Sequence, residues 1–182
     1  MSPRAPAATP GMPTAVRNLP LPEPHLALLA TGVVLQAIRP LPLPLARSPA
    51  VTLAAVSTIG AAAITIGLAT RAAGAVDLAD PDRLVTSGPF GLTRHPMYEA
   101  WTAMYAALAI VLRNGWLAAL MPALLVMVHR DTGREDARLR ERFGAAHTEY
   151  ARSVPRYLTL RLTRMAQGGW HSKCPEGTGV RP

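Results

Sequence analysis

A short run of residues places a guanidinium, an imidazole and a phenol around one proline: Arg94, His95, Pro96 and Tyr98. The run follows a polar loop and precedes a long apolar stretch. A helix is therefore expected to begin near Pro96, since proline is tolerated at the first helical position. The unpaired N–H groups of such a helix start can bind an anion, and an arginine can grip a carboxylate in bidentate fashion. If the reacting group is an amine or a thiol, which needs a general base, His95 is the candidate. This chemistry suits a charged small molecule at a membrane edge.

A second set of polar residues lies beyond the last apolar stretch, where Glu135 and Asp136 follow one another. A carboxylate such as Glu135 can accept hydrogen bonds from amine or hydroxyl groups. Asp136 is one helical turn from Arg140, so the two can pair at i,i+4. The alternative is that both acids are ordinary surface residues paired with nearby arginines.

Apolar residues are concentrated in three stretches without charge, residues 48–70, 100–112 and 114–128. The first approaches the ~20 residues that a bilayer-spanning helix needs, and the other two are nearer the length of buried or re-entrant helices. Gly60 and Gly67 lie seven residues apart on roughly one face, which predicts close helix approach there. We therefore expect an integral membrane protein, with a soluble helical bundle as the alternative.

The order of these stretches predicts an all-α fold. It is an integral membrane bundle of about four apolar helices, two spans plus a helical hairpin, followed by a cytoplasmic amphipathic helical segment. A tight turn at 113–115 joins the two helices of the hairpin, Gly144 should break the amphipathic segment, and 154–155 should end it. The four apolar helices are expected at residues 25–38, 51–70, 96–112 and 116–129.

Both ends of the chain look unlike its middle. Residues 1–24 are proline-rich and are predicted to be a disordered arm, residues 25–164 one membrane domain, and residues 165–182 a disordered tail that holds Cys174, the only cysteine. A single cysteine and five scattered histidines predict neither a disulfide nor a metal site.

The formal net charge of +8 rests almost wholly on arginine, and nine arginines lie between positions 130 and 164. They are interleaved with acids directly after the last apolar stretch, which favours juxtamembrane contact with lipid headgroups over nucleic-acid binding. With this part in the cytoplasm and four crossings, the loop holding Arg94 and the segment holding Glu135 lie on the same side. The two sets of polar residues can then meet.

Two blocks of sequence resemble the signatures of the isoprenylcysteine carboxyl methyltransferase and phospholipid methyltransferase families. The first is Leu-Val-Thr-Ser-Gly-Pro-Phe at 84–90 with Arg-His-Pro-Met-Tyr at 94–98. The second comprises Glu135-Asp136, Leu139, Phe143-Gly144, Tyr150 and Val154-Pro155-Arg156. The blocks flank the hydrophobic hairpin, as in the family, and the resemblance covers about residues 51–158. Among the departures, Glu99 intrudes on an apolar helix start and His147 replaces the first of two tyrosines.

The resemblance implies an integral membrane enzyme that binds S-adenosylmethionine on the cytoplasmic side and methylates a lipophilic acceptor. The nearest likeness is isoprenylcysteine carboxyl O-methyltransferase, and membrane lipids and a lipidated substrate are the expected partners. Methyl transfer is an in-line displacement that needs no metal. By the same resemblance the cofactor-binding positions are His95, Pro96, Tyr98 and Glu135, and the catalytic positions are Arg94 and His95.

Other interpretations of these residues stay open at this point. Arg94 fits an interfacial cation, His95 a helix-capping residue and Tyr98 a headgroup-level aromatic. His129 and His147 are predicted to be structural. The alternative functions are an NADPH-dependent membrane reductase of the steroid-reductase type and a non-enzymatic membrane scaffold or accessory protein. The acceptor is a prenylated cysteine carboxylate, a phospholipid amine, or a small lipophilic thiol or acid.

Overall fold

Five α-helices and one short 3-10 helix make up the part of the chain that this computed structural model describes, residues 23–45, 47–78 and 80–158. No strand occurs in these residues, so the all-helical prediction is confirmed for them. The predicted arm, tail and Cys174 lie outside the described residues, except that the first helix already includes residues 23 and 24. The helices are α1 (Glu23–Ile38), α2 (Pro49–Ala73), α3 (Pro96–Val111), α4 (Gly115–Phe143) and α5 (Ala145–Ser153), and the 3-10 helix is Gly88–Gly91.

The helix α2 is long and apolar enough to cross a membrane, with 25 residues and a mean hydropathy of 1.9. Only 17% of its apolar window is buried against the rest of the chain, so most of its surface suits lipid. Large apolar side chains such as Leu53 and Ile64 point outward. The helix α1 is also apolar but has 16 residues. One spanning helix is therefore supported, and the four-span bundle stays a prediction.

The helix α3 lies between its neighbours, packing along α2 on one side and α4 on the other, while α1 lies against α4. The main buried cluster joins α3 to α4 through Tyr105, Leu117, Leu124 and Val128. A second cluster, with Ala62, Ile66 and Ala100, joins α2 to α3. Burying these side chains holds the start of α3 beside the second half of α4.

The predicted turn between α3 and α4 is present and is closed by Asn114. Its side-chain oxygen accepts hydrogen bonds from the N–H groups of Trp116 (3.0 Å) and Leu117 (3.2 Å), which caps α4. Its side-chain nitrogen donates to the carbonyl of Gly32 at 3.1 Å, which ties the turn to α1. One asparagine thus fixes the relative positions of three helices.

The predicted close approach at Gly60 and Gly67 is wrong, because a Cβ at either position would meet nothing within 4 Å. Both glycines lie on the exposed face of α2. The close approaches occur elsewhere. A Cβ at Gly115 would lie 2.7 Å from the carbonyl oxygen of Leu41, and one at Gly32 would overlap Cδ2 of Leu117.

The helix α4 does not end near residue 129, as its apolar pattern predicted, but continues to Phe143. The residues after 129 change in polarity, yet they include no proline and good helix formers such as Arg, Glu and Leu, so nothing stops the helix. Gly144, with φ of +50°, separates α4 from α5, and α5 ends before Val154, both as predicted. The continuous helix carries its acidic residues directly out of the apolar bundle.

Candidate functional site

The carboxylate of Asp136 joins three segments of the chain. Its Oδ1 is 2.9 Å from Nη1 of Arg94 and 3.1 Å from Nε2 of His95, both in the loop before α3. Its Oδ2 accepts a hydrogen bond from Nε of Arg156, beyond α5, at 2.8 Å. Asp136 is only 2% exposed, and a buried charge needs partners of this kind. The two sets of polar residues therefore do meet.

The pKa of Asp136 results from opposing effects. Burial alone would raise the pKa, but the hydrogen bond and charge of His95 and the charges of Arg94 and Arg156 lower it to about 2. The group is therefore ionised at neutral pH. The predicted pairing of Asp136 with Arg140 is wrong, because Asp136 faces the interior while Arg140 is exposed.

His95 lies between the two acids of α4. Because the Asp136 carboxylate is ionised and can only accept, Nε2 donates to it, and Nδ1 lies 3.8 Å from Oε2 of Glu135. Although His95 occupies the position before the first turn of α3, its side chain makes no capping hydrogen bond. The imidazole is 3% exposed, and the adjacent Pro96 is buried as well. His95 thus holds the carboxylates and does not cap the helix.

Glu135 is the more accessible acid, with 31% of its side chain exposed. Burial raises its pKa, and the charge of Asp136 adds to this, while His95, Arg138 and a hydrogen bond with Tyr98 act in the opposite direction. The ring of Tyr98 also meets that of His95 edge to face, with centroids 5.9 Å apart. The predicted residues on α3 and α4 are therefore in mutual contact.

The segment after α5, residues 154–158, runs across the loop before α3, and we call it the C-terminal strap. The N–H group of Arg94 donates to the carbonyl of Pro155 at 3.0 Å. The hydroxyl of Thr93 donates to the carbonyl of Arg156 at 2.8 Å. These backbone contacts set the position from which the Arg94 side chain reaches Asp136.

Glu99 fastens the other end of the C-terminal strap to α3. Its carboxylate accepts from the N–H group of Leu158, with distances of 3.0 and 3.2 Å to the two oxygens, and it also contacts the hydroxyl of Thr93. The strap contacts α4 too, where the Tyr157 and Thr132 hydroxyls are 2.8 Å apart. The unexpected charge at the start of an apolar helix thus has a structural partner.

A cleft of about 440 Å³, counting space open to solvent, lies between the loop before α3 and the second half of α4. Arg94 and Glu135 border it, whereas His95, Pro96 and Tyr98 do not. The lining residues are Leu78, Pro81, Arg83, Leu84, Val85, Phe90, Arg94, Glu135, Asp136, Leu139, His147 and Tyr150.

Charged side chains and leucine, valine and phenylalanine side chains together line the cleft, so it suits a ligand that has charged and apolar parts. Among the described residues, buried polar atoms without a hydrogen-bond partner include Nε of Arg94 and both ring nitrogens of His147. An arginine matches a ligand carboxylate, and Glu135 matches an amine or a hydroxyl group. In the same part of the chain no group of three or more His, Cys, Asp and Glu side chains is placed to hold a metal ion.

Two residues of this site were not among the predicted catalytic or cofactor-binding positions. Asp136 was expected to pair with Arg140, and Arg156 was noted only as part of the second block of sequence that resembles the family. The pattern of charges did not favour either residue, since most charged residues in this region are exposed. Burial decides their importance, and burial depends on how the C-terminal strap crosses the loop before α3.

A family model described as phospholipid methyltransferase matches residues 50–146. The matched region begins in α2 and ends at the start of α5, so it includes both Arg94–His95 and Glu135–Asp136. Searches of curated proteins and of solved structures found no match.

Proposed function

Because the matched region covers just over half of its 182 residues, this chain belongs to the phospholipid methyltransferase family, and from that membership we propose a function. The protein transfers a methyl group from S-adenosylmethionine to a lipophilic acceptor at the cytoplasmic face of a membrane. The observation that carries the proposal is the contact of His95 with Asp136, 41 residues apart, beside a cleft that both positive and negative side chains border.

S-adenosylmethionine, when bound, would supply a methyl group on a sulfonium, whose sulfur leaves as a neutral thioether in an in-line displacement. The chain's task is then to bind and align. Arg94 holds a carboxylate, with one guanidinium nitrogen already fixed on Asp136 and Nε without a partner. Glu135 attracts the cationic part of the ligand. The leucine and phenylalanine side chains of the cleft exclude water, which strengthens both interactions.

The acceptor that we favour is the carboxylate of a prenylated cysteine. Arg83 borders the cleft in addition to Arg94, so a second cation is present for an anionic acceptor when Arg94 holds the carboxylate of S-adenosylmethionine. A carboxylate is already a nucleophile and needs no general base. This agrees with the position of His95, which is buried between two acids and does not border the cleft.

A phospholipid amine is the second candidate, and one observation favours it. Glu135 borders the cleft, and burial raises its pKa, so it is placed to take a proton from an amine. The description of the matched family names phospholipid as well. On this alternative Glu135 acts as the base, and His95 positions it.

The cytoplasmic orientation is supported by the distribution of charge. The apolar first half of α4 is followed by exposed arginines at 130, 134 and 138, which lie one turn apart on one face. Cytoplasmic ends of spanning helices carry such an excess of Arg and Lys. The cleft lies beside this half of α4, and so we place it on the same side.

The test is methyl transfer by purified, reconstituted protein with S-adenosylmethionine labelled in its methyl group. One set of vesicles contains N-acetyl-S-farnesylcysteine in phosphatidylcholine, and a second contains phosphatidylethanolamine. The favoured acceptor gives a labelled methyl ester in the first set, from which base releases the label. The second candidate gives a labelled N-methyl group in the second set, which base does not release.

Glu135→Ala should lose the activity in either set, and Glu149→Ala is the matched control, since Glu149 is an exposed acid on α5. Absence of labelled product from the wild-type protein in both sets, or equal activity of the two variants, contradicts the proposal.

A further inference from the structure

His147 is a fully buried histidine that the proposed chemistry does not yet use. It lies in the first turn of α5, borders the cleft and meets the ring of Tyr150 edge to face at 6.4 Å. Neither of its ring nitrogens has a hydrogen-bond partner among the described residues. Nε2 is 3.7 Å from Oδ1 of Asp136, beyond hydrogen-bond length, and that oxygen already contacts Arg94 and His95.

A buried imidazole that makes no hydrogen bond carries an energetic cost at this position. A buried polar group that makes no hydrogen bond destabilises the fold, and an aromatic hydrocarbon of similar size would avoid that cost. The neighbouring Tyr150 shows the usual solution, since its hydroxyl donates to the carbonyl of Phe90 at 2.7 Å. The unsatisfied imidazole at the wall of a cleft therefore indicates a partner that arrives with the ligand.

The other polar groups of the cleft restrict which part of a ligand His147 can meet. Arg83 and Arg94 are suited to an anionic group and Glu135 to a cationic one. Burial lowers the pKa of His147, Arg94 and Arg140 lower it further, and Asp136 acts in the opposite direction. His147 is thus a neutral imidazole, with one donor and one acceptor nitrogen.

We propose that His147 binds the ribose hydroxyls of a nucleoside ligand in this cleft, an inference that rests on the proposed function. A hydroxyl group both donates and accepts, so the hydroxyls of a ribose complement a neutral imidazole. Arg94 binds the carboxylate of the ligand and Glu135 binds its amine. The nucleobase of the ligand packs on Leu84, Val85 and Phe90. His147 thereby determines specificity for the nucleoside half of the ligand.

The test is calorimetric titration of the detergent-solubilised protein with S-adenosylhomocysteine, comparing wild type with His147→Phe. We expect the variant to bind about 3- to 10-fold more weakly, the effect of one lost hydrogen bond. We also expect its unliganded form to melt at the same or a higher temperature, because an unsatisfied polar group has been removed. Thr148→Ala, an exposed neighbour on α5, is the control and should leave both quantities unchanged.

Two analogues of S-adenosylhomocysteine, lacking the ribose 2′- or 3′-hydroxyl, locate the contact. The wild-type protein should bind at least one analogue more weakly, and His147→Phe should bring no further loss with that analogue. The inference is overturned if His147→Phe binds S-adenosylhomocysteine as wild type does, or loses the same factor with all three ligands. If wild type and His147→Phe bind S-adenosylhomocysteine equally well, this inference fails but the proposed function stands. Absence of wild-type binding contradicts both.

Discussion

Asp136 is the residue on which the site depends, because its two oxygens connect the loop before α3, α4 and the C-terminal strap. Arg94 and Arg156 contribute two positive charges to one buried carboxylate, and Glu135 supplies a second negative charge nearby. Removing the carboxylate leaves both guanidinium groups without their shared partner in a poorly solvated place. Breaking a buried pair in this way costs about 3–5 kcal/mol.

The stability of the protein should therefore respond to acid through Asp136. The pKa of its carboxyl is about 2 in the folded protein, against an ordinary value of 3.8. Because the pKa is lower in the folded protein, the ionised carboxylate stabilises the fold at pH values above its ordinary pKa. This contribution is lost as the pH falls from about 4 to about 2. The loss is on the order of 2 kcal/mol.

Unfolding in detergent at pH 5 and pH 2.5 measures this effect. Asp136→Asn should be less stable than wild type at pH 5 and should lack this part of the acid response. Asp131→Asn is the control, since Asp131 forms an ion pair with the exposed Arg134. Identical acid sensitivity of wild type and Asp136→Asn would show that Asp136 is not the group concerned.

At the scale of the elements, the position of the cleft follows from two features, the unbroken helix α4 and the C-terminal strap. Because α4 continues from the bundle without a break, the packing of its first half fixes where its acids lie. The strap then holds the loop before α3 against those acids through Pro155 and Arg156. The helix α4 supplies Glu135, Asp136 and Leu139 to the lining of the cleft, whereas no residue of the strap lines it.

Glu99→Ala tests the strap, because the Glu99 carboxylate receives the N–H group of Leu158. We expect faster hydrogen exchange at the amides of Leu158 and Arg94 and several-fold weaker binding of S-adenosylhomocysteine, since Arg94 loses its fixed position. The control is Glu149→Ala, whose carboxylate is exposed and pairs only with the exposed Arg152 among the described residues. Unchanged exchange at Leu158 in Glu99→Ala would mean that the strap is held by its other contacts.

Gly115→Ala tests the packing at the opposite end of α4. The new methyl group would lie 2.7 Å from the carbonyl oxygen of Leu41, which belongs to the backbone and cannot turn aside. We expect a loss of about 1–3 kcal/mol in the free energy of unfolding. Gly60→Ala should be neutral or slightly stabilising, because it meets nothing within 4 Å in a helix. Equal stability of the two variants in thermal melts would contradict the packing described here.

At the scale of the whole molecule, the sequence predicted the helices and the meeting of the two polar sets well. Hydrophobic runs and the signals at Pro96, Asn114 and Gly144 are local, so helix positions could be inferred from them. The end of α4 was missed because a change in polarity was taken for a change in structure. The close contacts of Gly32 and Gly115, and the burial of Asp136 and His147, depend on segments distant in sequence, which local patterns do not encode.

Among the site residues, too, some features were predicted from the sequence and others were found only in the structure. Arg94, His95, Tyr98 and Glu135 were predicted as one group from two separate blocks, and the structure brings them together. Their assignment to cofactor binding and catalysis stays a prediction. The structure adds that Arg94 and Glu135 border the cleft, while His95 and Tyr98 support them from behind.

The central claim is that the cleft beside Glu135 binds a methyl-donor nucleoside, and calorimetric titration of detergent-solubilised protein tests it directly. With S-adenosylhomocysteine we expect saturable heat at one site, no heat with NADPH, and no measurable binding of S-adenosylhomocysteine to Glu135→Ala. Thermal melting should show that this variant remains folded. Heat with NADPH alone, no heat with either ligand, or wild-type affinity in Glu135→Ala would contradict the account.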